Sequence, residues 1–312
     1  MDPGAEVADP VNYDLFGEPV EELGVPSARS RDPSRDERRQ RIRVLVLVKA
    51  YPALSTKYGE VVCVAGVRTD GERPQWVRLW PVSFRALEFT DRFSKYQLID
   101  VDVFRPPSDR RPESWSPQLP TLTLGTKLPT SRGWQARRDI IEPVVVESMC
   151  WLQRQQASAG TSLGVFRPAV VDDFEVTPAD DADLIAEHIR RAQSAAQSTL
   201  FGPKGTPLEA SPYKFKYHYK CADSRCGGHH QTVIDWEAVQ AARQWRTGYD
   251  EPALRDKLRD KWLGELCSAE RDSMFYVGNM HLNPVSFLVL GVFWPPRRPE
   301  DAAAPAQTLL FD

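Results

Sequence analysis

The stretch Cys221-Ala-Asp-Ser-Arg-Cys226-Gly-Gly-His229-His230 gathers two thiols and two imidazoles within ten residues. Thiolates and imidazoles are the donors that zinc takes, four to a tetrahedron. The spacer Ala222-Asp223-Ser224-Arg225 is polar and turn-like, and Gly227-Gly228 frees the backbone to return a histidine to the thiols. Neighbours on a strand point to opposite faces, so one of His229 and His230, rather than both, is expected at a single ion. The expected donors are therefore Cys221, Cys226 and either His229 or His230. The fourth must come from elsewhere: Cys267, at the end of a long amphipathic stretch, is the first choice, with His218 and His281 as others. The chemistry expected of such a centre is structural.

The knuckle runs into HHQTVIDWE. On an extended chain His229, Gln231, Val233, Asp235 and Glu237 share one side. His230, Thr232, Ile234 and Trp236 share the other and are expected to face the core. The first set then displays an imidazole and two carboxylates, and His229, Asp235 and Glu237 are candidate catalytic residues. They could hold Mg²⁺ for phosphodiester hydrolysis or activate a water. Asp235 also directly precedes EAVQAARQW, where it is well placed as a helix N-cap with Glu237 in the first turn.

Two segments interleave aromatic and basic residues, the pattern by which rings stack on bases while cations meet phosphates. LVKAYPALSTKYGEVVC carries Lys49, Tyr51, Lys57 and Tyr58, and the following strands carry Arg78 and Trp80. YKFKYHYKC alternates strictly: Tyr213, Phe215, Tyr217 and Tyr219 on one face, Lys214, Lys216, His218 and Lys220 on the other. Glu60, Asp70 and Glu72 dilute the charge of the first segment, and a solvated barrel face accounts for it equally well.

The chain ends QTLLFD. Gln307, Leu310 and Phe311 resemble the Q-x-x-L-F peptides by which bacterial polymerases and repair proteins bind the sliding clamp. A tail that presents two large apolar side chains, with a glutamine to fix register, suits a preformed pocket. Docking back onto the body of the protein is the alternative.

The elements that must position these groups follow from periodicity. Residues 1–40 are rich in Pro, Asp, Glu and Arg and are expected to be a disordered extension. Residues 41–125 read as strands of a β-rich, barrel-like domain able to hold nucleic acid. Residues 126–205 read as a helical middle section. Residues 206–296 read as a C-terminal α/β section around the zinc knuckle, and 297–312 as a flexible tail. The fold class expected is α+β.

A formal net charge of −3 excludes an overall basic nucleic-acid binder and leaves only a local basic face. No apolar run approaches a membrane span, and the acidic start MDPGAEVADP lacks the features of a signal peptide, so a cytoplasmic location without membrane contact is expected. Five unevenly spaced cysteines fit reduced thiols or a metal better than a disulfide framework. No P-loop or G-x-G-x-x-G fingerprint is present.

The phrases LVKAYPALSTKYGEVVCVAGV, VRLWPVSFRAL, GTSLGVFRPA, CGGHHQTVIDWE and FYVGNM with LGVFWPP resemble an uncharacterised bacterial protein family. That resemblance spans most of the chain and implies no activity. The reading drawn from the residues is a DNA-associated accessory protein of replication or repair, recruited by the clamp and binding DNA in preference to RNA. The alternatives are a metal-dependent nuclease and a protein interaction module.

Overall fold

The structure, a computed structural model, describes residues 39–55, 59–179, 209 and 211–298, with a short strand pair at Asn12–Tyr13 and Pro19–Val20. It is an α+β fold. Five strands open it: β1 (Gln40–Lys49), β2 (Gly59–Arg68), β3 (Gln75–Val82), β4 (Gln97–Phe104) and β5 (Ser114–Pro117). Their pairing order is β1-β2-β3-β5-β4, and β4 returns to β1 to close a barrel. The β3–β5 pair is parallel and the others are antiparallel. That order, closed by one parallel pair, is the topology of an OB barrel. Strand β6 (Thr123–Lys127) extends the sheet beside β4.

The run Val44 to Val48 is apolar throughout because both of its faces are covered. Val44 and Val46 point into the barrel with Val64, Leu79 and Val101. Leu45, Leu47 and Val48 point outward, where they join Ala65 and Val67 in a second core shared with the rest of the chain.

That second core is completed by a seven-stranded sheet. In chain order its strands are β7 (Val145–Val146), β8 (Leu163–Phe166), β9 (Pro168–Pro178), β10 (Tyr213–Cys221), β11 (His229–Val233), β12 (Met274–Asn279) and β13 (Phe287–Phe293). Their spatial order is β7-β8-β12-β13-β11-β10-β9. One face of this sheet, through Val165, Met274, Tyr276, Leu290 and Phe293, packs on the barrel. The opposite face, rich in Phe174, Phe215, Tyr217, Tyr219 and Phe275, is covered by helices. These are α2 (Met149–Ala159), α3 (Trp236–Trp245) and α4 (Glu251–Arg259), the last continuing into a π-helical turn at Asp260–Glu265.

The structure groups the middle of the chain differently from the sequence reading. The helical middle section expected at 126–205 holds two helices among the described residues, α1 (Ser131–Ile141) and α2. Pro143 and the β-branched Val145-Val146 separate them, and those valines pair with β8. Strands β7, β8 and β9 belong to the C-terminal sheet, so 145–178 is part of that layer. Most of the rest of that section, 180–205, lies outside the described residues.

Candidate metal centre and the faces around it

Strand β10 alternates as its sequence demands. Tyr213, Phe215, Tyr217, Tyr219 and Cys221 are buried, while Lys214 and Lys220 are exposed and Lys216 and His218 half-buried. The alternation delivers Cys221 to the helix-covered face at the strand's end. The turn beyond it is set by Asp223, whose carboxylate accepts from Arg225 N at 3.0 Å and whose carbonyl accepts from Cys226 N at 3.0 Å. Gly228 adopts φ 104°, a conformation that glycine takes without penalty. The chain thereby returns His229 to pair with Tyr219 across β10 and β11, the two rings stacked 5.0 Å apart.

The fourth donor is Cys150. Cys150, Cys221, Cys226 and His229 bring one donor atom each to within 4.8 Å of one another. Cys150 Sγ lies 3.6 Å from Cys221 Sγ and 3.6 Å from His229 Nε2. A zinc tetrahedron with Zn–S near 2.3 Å has edges of about 3.8 Å, so these separations suit that ion. Cys150 sits in the first turn of α2, just past the N-cap Ser148, whose Oγ accepts from Trp151 N at 3.0 Å.

The thiols are unequal. Burial opposes ionisation of Cys221, but backbone N–H groups of Cys150 and Asp223 and the side chains of His229 and Cys226 bring it down to about 6. Burial, together with Cys221 and Cys226, pushes Cys150 up to about 12. One anion is thus ready for a cation, whose charge then draws the other thiols to ionise.

The other expected donors fall elsewhere. Cys267 is no ligand: its Sγ is 4.0 Å from Tyr217 Oη in the helix-side core, and burial pushes it up to about 12. His230 points to the other face of β11, as its alternation with His229 requires, and meets His218 there. His281 lies at Asp109, with Nδ1 3.6 Å from Oδ1. Replacing Cys267 by serine is expected to leave metal content unchanged, which elemental analysis of the purified variant checks.

The faces of β11 are the reverse of those expected. Gln231 and Val233 are buried, and His230 is exposed. Gln231 is tolerated inside because Tyr219 Oη donates to its Oε1 and its amide nitrogen reaches Met149 S at 3.5 Å. Ile234 packs toward the barrel and Trp236 against the barrel's own core.

The three candidate catalytic residues do not meet. His229 belongs to the thiol cluster. Asp235 lies six residues on, about 20 Å along extended chain. Its Oδ1 caps α3 by accepting from Glu237 N at 3.0 Å, and it is buried to 4 % exposure. Glu237 pairs with Lys95 at 3.0 Å. Lys95 and Lys49 come from the barrel, so this cluster fastens the two sheets together. Tyr51 N reinforces the same junction by donating to Ile234 O at 2.9 Å.

Burial raises Asp235 from 3.8 to about 7, against the pull of Lys95 and with Glu237 adding to the rise. A carboxyl raised on folding contributes stability that is full below its unfolded pKa and is lost as pH climbs through the folded one. Asp235→Asn keeps the cap and removes the charge. Its stability relative to wild type is expected to improve steadily from pH 4 to pH 8, by a few kcal/mol at most, in urea unfolding followed across that range.

Of the barrel residues expected to hold nucleic acid, Arg78, Lys49 and Tyr51 make contacts within the protein. An OB barrel usually binds ligands on its second and third strands. Here the outward side of β2 and β3 is covered by the C-terminal sheet. Arg78 is buried on that interface and donates to Ser162 O at 2.9 Å. Lys49 lies over the Phe84 ring at 4.2 Å and near Trp236 at 5.5 Å, and burial lowers its pKa. Tyr51 packs edge-on against Trp236 and donates through its hydroxyl to Glu209 O. Trp80 is half-buried. Lys57 and Tyr58, like the tail residues Gln307, Leu310 and Phe311, lie outside the described residues.

Among the described residues, the face of the C-terminal sheet that the barrel covers at β8, β12 and β13 is left uncovered at β9, β10 and β11. It carries Lys214, Lys216, His218, Lys220 and His230. Glu175 on β9 offsets part of this charge, 3.9 Å from Lys216 Nζ and 2.7 Å from His218 Nε2.

Residues 145–312, which include the thiol cluster and the open face, match the model of a family described as a domain of unknown function (DUF8757). The chain belongs to that family. Residues 40–143, the barrel with β6 and α1, match a second model, a domain of unknown function (DUF8758). The two matches meet at the break between α1 and β7, where the chain passes from one sheet to the other. No curated protein matches the sequence.

Among solved structures, the chain is similar to an Ifi202 HINa domain in complex with double-stranded DNA, at 8 % identity and TM-score 0.32, covering 83 % of this chain and 97 % of that one. It is similar also to a murine DNA binding protein bound with double-stranded DNA, at 9 % identity and TM-score 0.30, covering 83 % and 98 %. Among the described residues, no helix is long and apolar enough to cross a membrane.

Proposed function

We propose that the protein is a zinc-stabilised, DNA-associated accessory protein that holds nucleic acid on the open face of its C-terminal sheet. The observation that carries this reading is the alternation of β10. It turns Lys214, Lys216 and Lys220 to the uncovered side while its buried side is fixed by an aromatic core and by Cys221 in the thiol cluster. Lys214 and Lys216 lie two residues apart, about 6.6 Å along the strand, and Lys220 four residues further, about 13 Å, so the three form a row of cations that a phosphate backbone can follow. The zinc role is structural: all four donors are protein groups, which is the closed set of a structural site. Recruitment to bacterial replication or repair through Gln307, Leu310 and Phe311 on the sliding clamp completes the reading.

Fluorescence anisotropy with a short labelled single strand tests the binding. Three phosphate contacts predict that log affinity falls against log salt with a slope of roughly −2. In the triple variant Lys214→Glu, Lys216→Glu, Lys220→Glu that slope is expected to vanish with the affinity. Equal binding by the variant contradicts the reading. For the tail, full-length protein is expected to bind immobilised clamp and a chain ending at Ala306 is not.

A further inference from the structure

Two imidazoles face each other on the open side of the sheet. His218 and His230 are register partners on β10 and β11, with Nδ1 atoms 2.8 Å apart and ring planes at 82°. The far side of His218 is held by Glu175, whose carboxylate lies 2.7 Å from Nε2. A carboxylate acceptor places the His218 proton on Nε2 and leaves a lone pair on Nδ1. This is the orientation that a carboxylate gives to a metal-bound imidazole.

We propose that His218 and His230 form a second metal site, distinct from the thiol cluster, that takes a divalent transition cation through their two Nδ1 atoms, with Glu175 as the orienting partner. The site is separate because His229 turns to the opposite face of β11. With metal–nitrogen bonds near 2.1 Å, nitrogens 2.8 Å apart subtend about 84° at the ion. That is close to the right angle of square-planar and octahedral centres and far from a tetrahedral angle, so nickel(II) or copper(II) fits before zinc. Entry of the metal requires that His230 carry its proton on Nε2. His218 keeps its own on Nε2 for Glu175, and two neutral rings then bind with no net proton release. The remaining coordination positions belong to solvent, since His230 is exposed. The site does not depend on whether the face binds nucleic acid.

Isothermal titration of nickel(II) into the zinc-loaded full chain tests the site. One nickel per chain is expected, with zinc retained. Either His218→Ala or His230→Ala is expected to weaken binding about 10-fold or more, because each removes half of the chelate. Glu175→Gln is expected to weaken it up to about 10-fold, as loss of an orienting partner does. His281→Ala leaves it unchanged. Should His230→Ala lose its zinc, being next to His229, His218→Asn on the neighbouring strand decides alone. Nickel binding that survives removal of His218, or its absence from the wild-type chain, overturns the proposal.

Discussion

Replacing Cys150 by serine is expected to strip the zinc from the protein and lower its melting temperature by roughly 6–12 °C. Cys150 is the donor contributed by α2, whereas Cys221, Cys226 and His229 all come from the β10–β11 turn. An ion at this position therefore ties a helix to a strand pair that the sequence separates by 71 residues. Structural zinc in small domains contributes about 10–16 kcal/mol of apparent binding free energy. This domain has its own aromatic core, so only part of that is needed for folding. A loss of even ~3 kcal/mol, at about 2–4 °C per kcal/mol for a domain of this size, gives the shift stated. Elemental analysis and a thermal melt read both effects, and chelator treatment of the wild type is expected to reproduce them. A Cys150→Ser protein that retains one zinc per chain and melts with wild type contradicts the four-donor assignment.

The second large effect is expected at Arg138. Its side chain is fully buried at 0 % exposure. It donates to Asp272 Oδ2 at 2.7 Å, Glu142 Oε1 at 2.9 Å and Pro296 O at 2.8 Å, so it joins α1 to the start of β12 and the chain beyond β13. Removing one partner of a buried ion pair leaves the other without compensation, at a cost of about 3–5 kcal/mol. Arg138→Met is expected to lose that much in urea unfolding. Arg138→Lys is expected to recover less than half, since an ammonium cannot span three acceptors in a plane.

The pH dependence follows from Asp272. Burial raises it, but Arg167 and Arg138 together outweigh burial and hold it below the ordinary carboxylate range. A depressed carboxyl contributes stability above its unfolded pKa and loses it as pH falls through the folded one. Wild type is therefore expected to lose this contribution below about pH 4, and the variant to show a smaller loss there.

How much of this was legible in the sequence depends on how local each cause is. The alternation of YKFKYHYKC is a local rule and predicts both faces of β10 residue by residue. The pairing of Met274–Asn279 with Phe287–Phe293, two apolar runs joined by a short turn, is equally local. The run Val44 to Val48 announces a strand but not its second cover, because an apolar residue looks the same inside a barrel and under a neighbouring sheet.

That hidden cover explains the burial of Arg78. Arg78 reads as a surface cation, yet a buried carbonyl at Ser162 awaits it. The faces of β11 differ from expectation for a related reason. Gln231 is polar and reads as a water-facing residue, whereas Tyr219 and Met149 satisfy it inside.

Cys150 was illegible because nothing near it signals a metal. Met149 and Leu152 mark it as one more position on an amphipathic helix, and its partners lie beyond β8 and β9. The available signal was Ser148, an N-cap residue that places a thiol in a helix's first turn. Cys267 stands out in the sequence because it ends a periodic stretch, and that same periodicity places it in the core beside Tyr217.

The claim that the open face of the C-terminal sheet holds nucleic acid is tested most directly by lysine-reactivity footprinting of the wild-type protein with and without a short DNA single strand. The expected result is protection of Lys214, Lys216 and Lys220, with Lys49 and Lys95 unchanged because they are already engaged by Phe84 and Glu237. Reactivity at Lys214, Lys216 and Lys220 that does not change on adding DNA would contradict it.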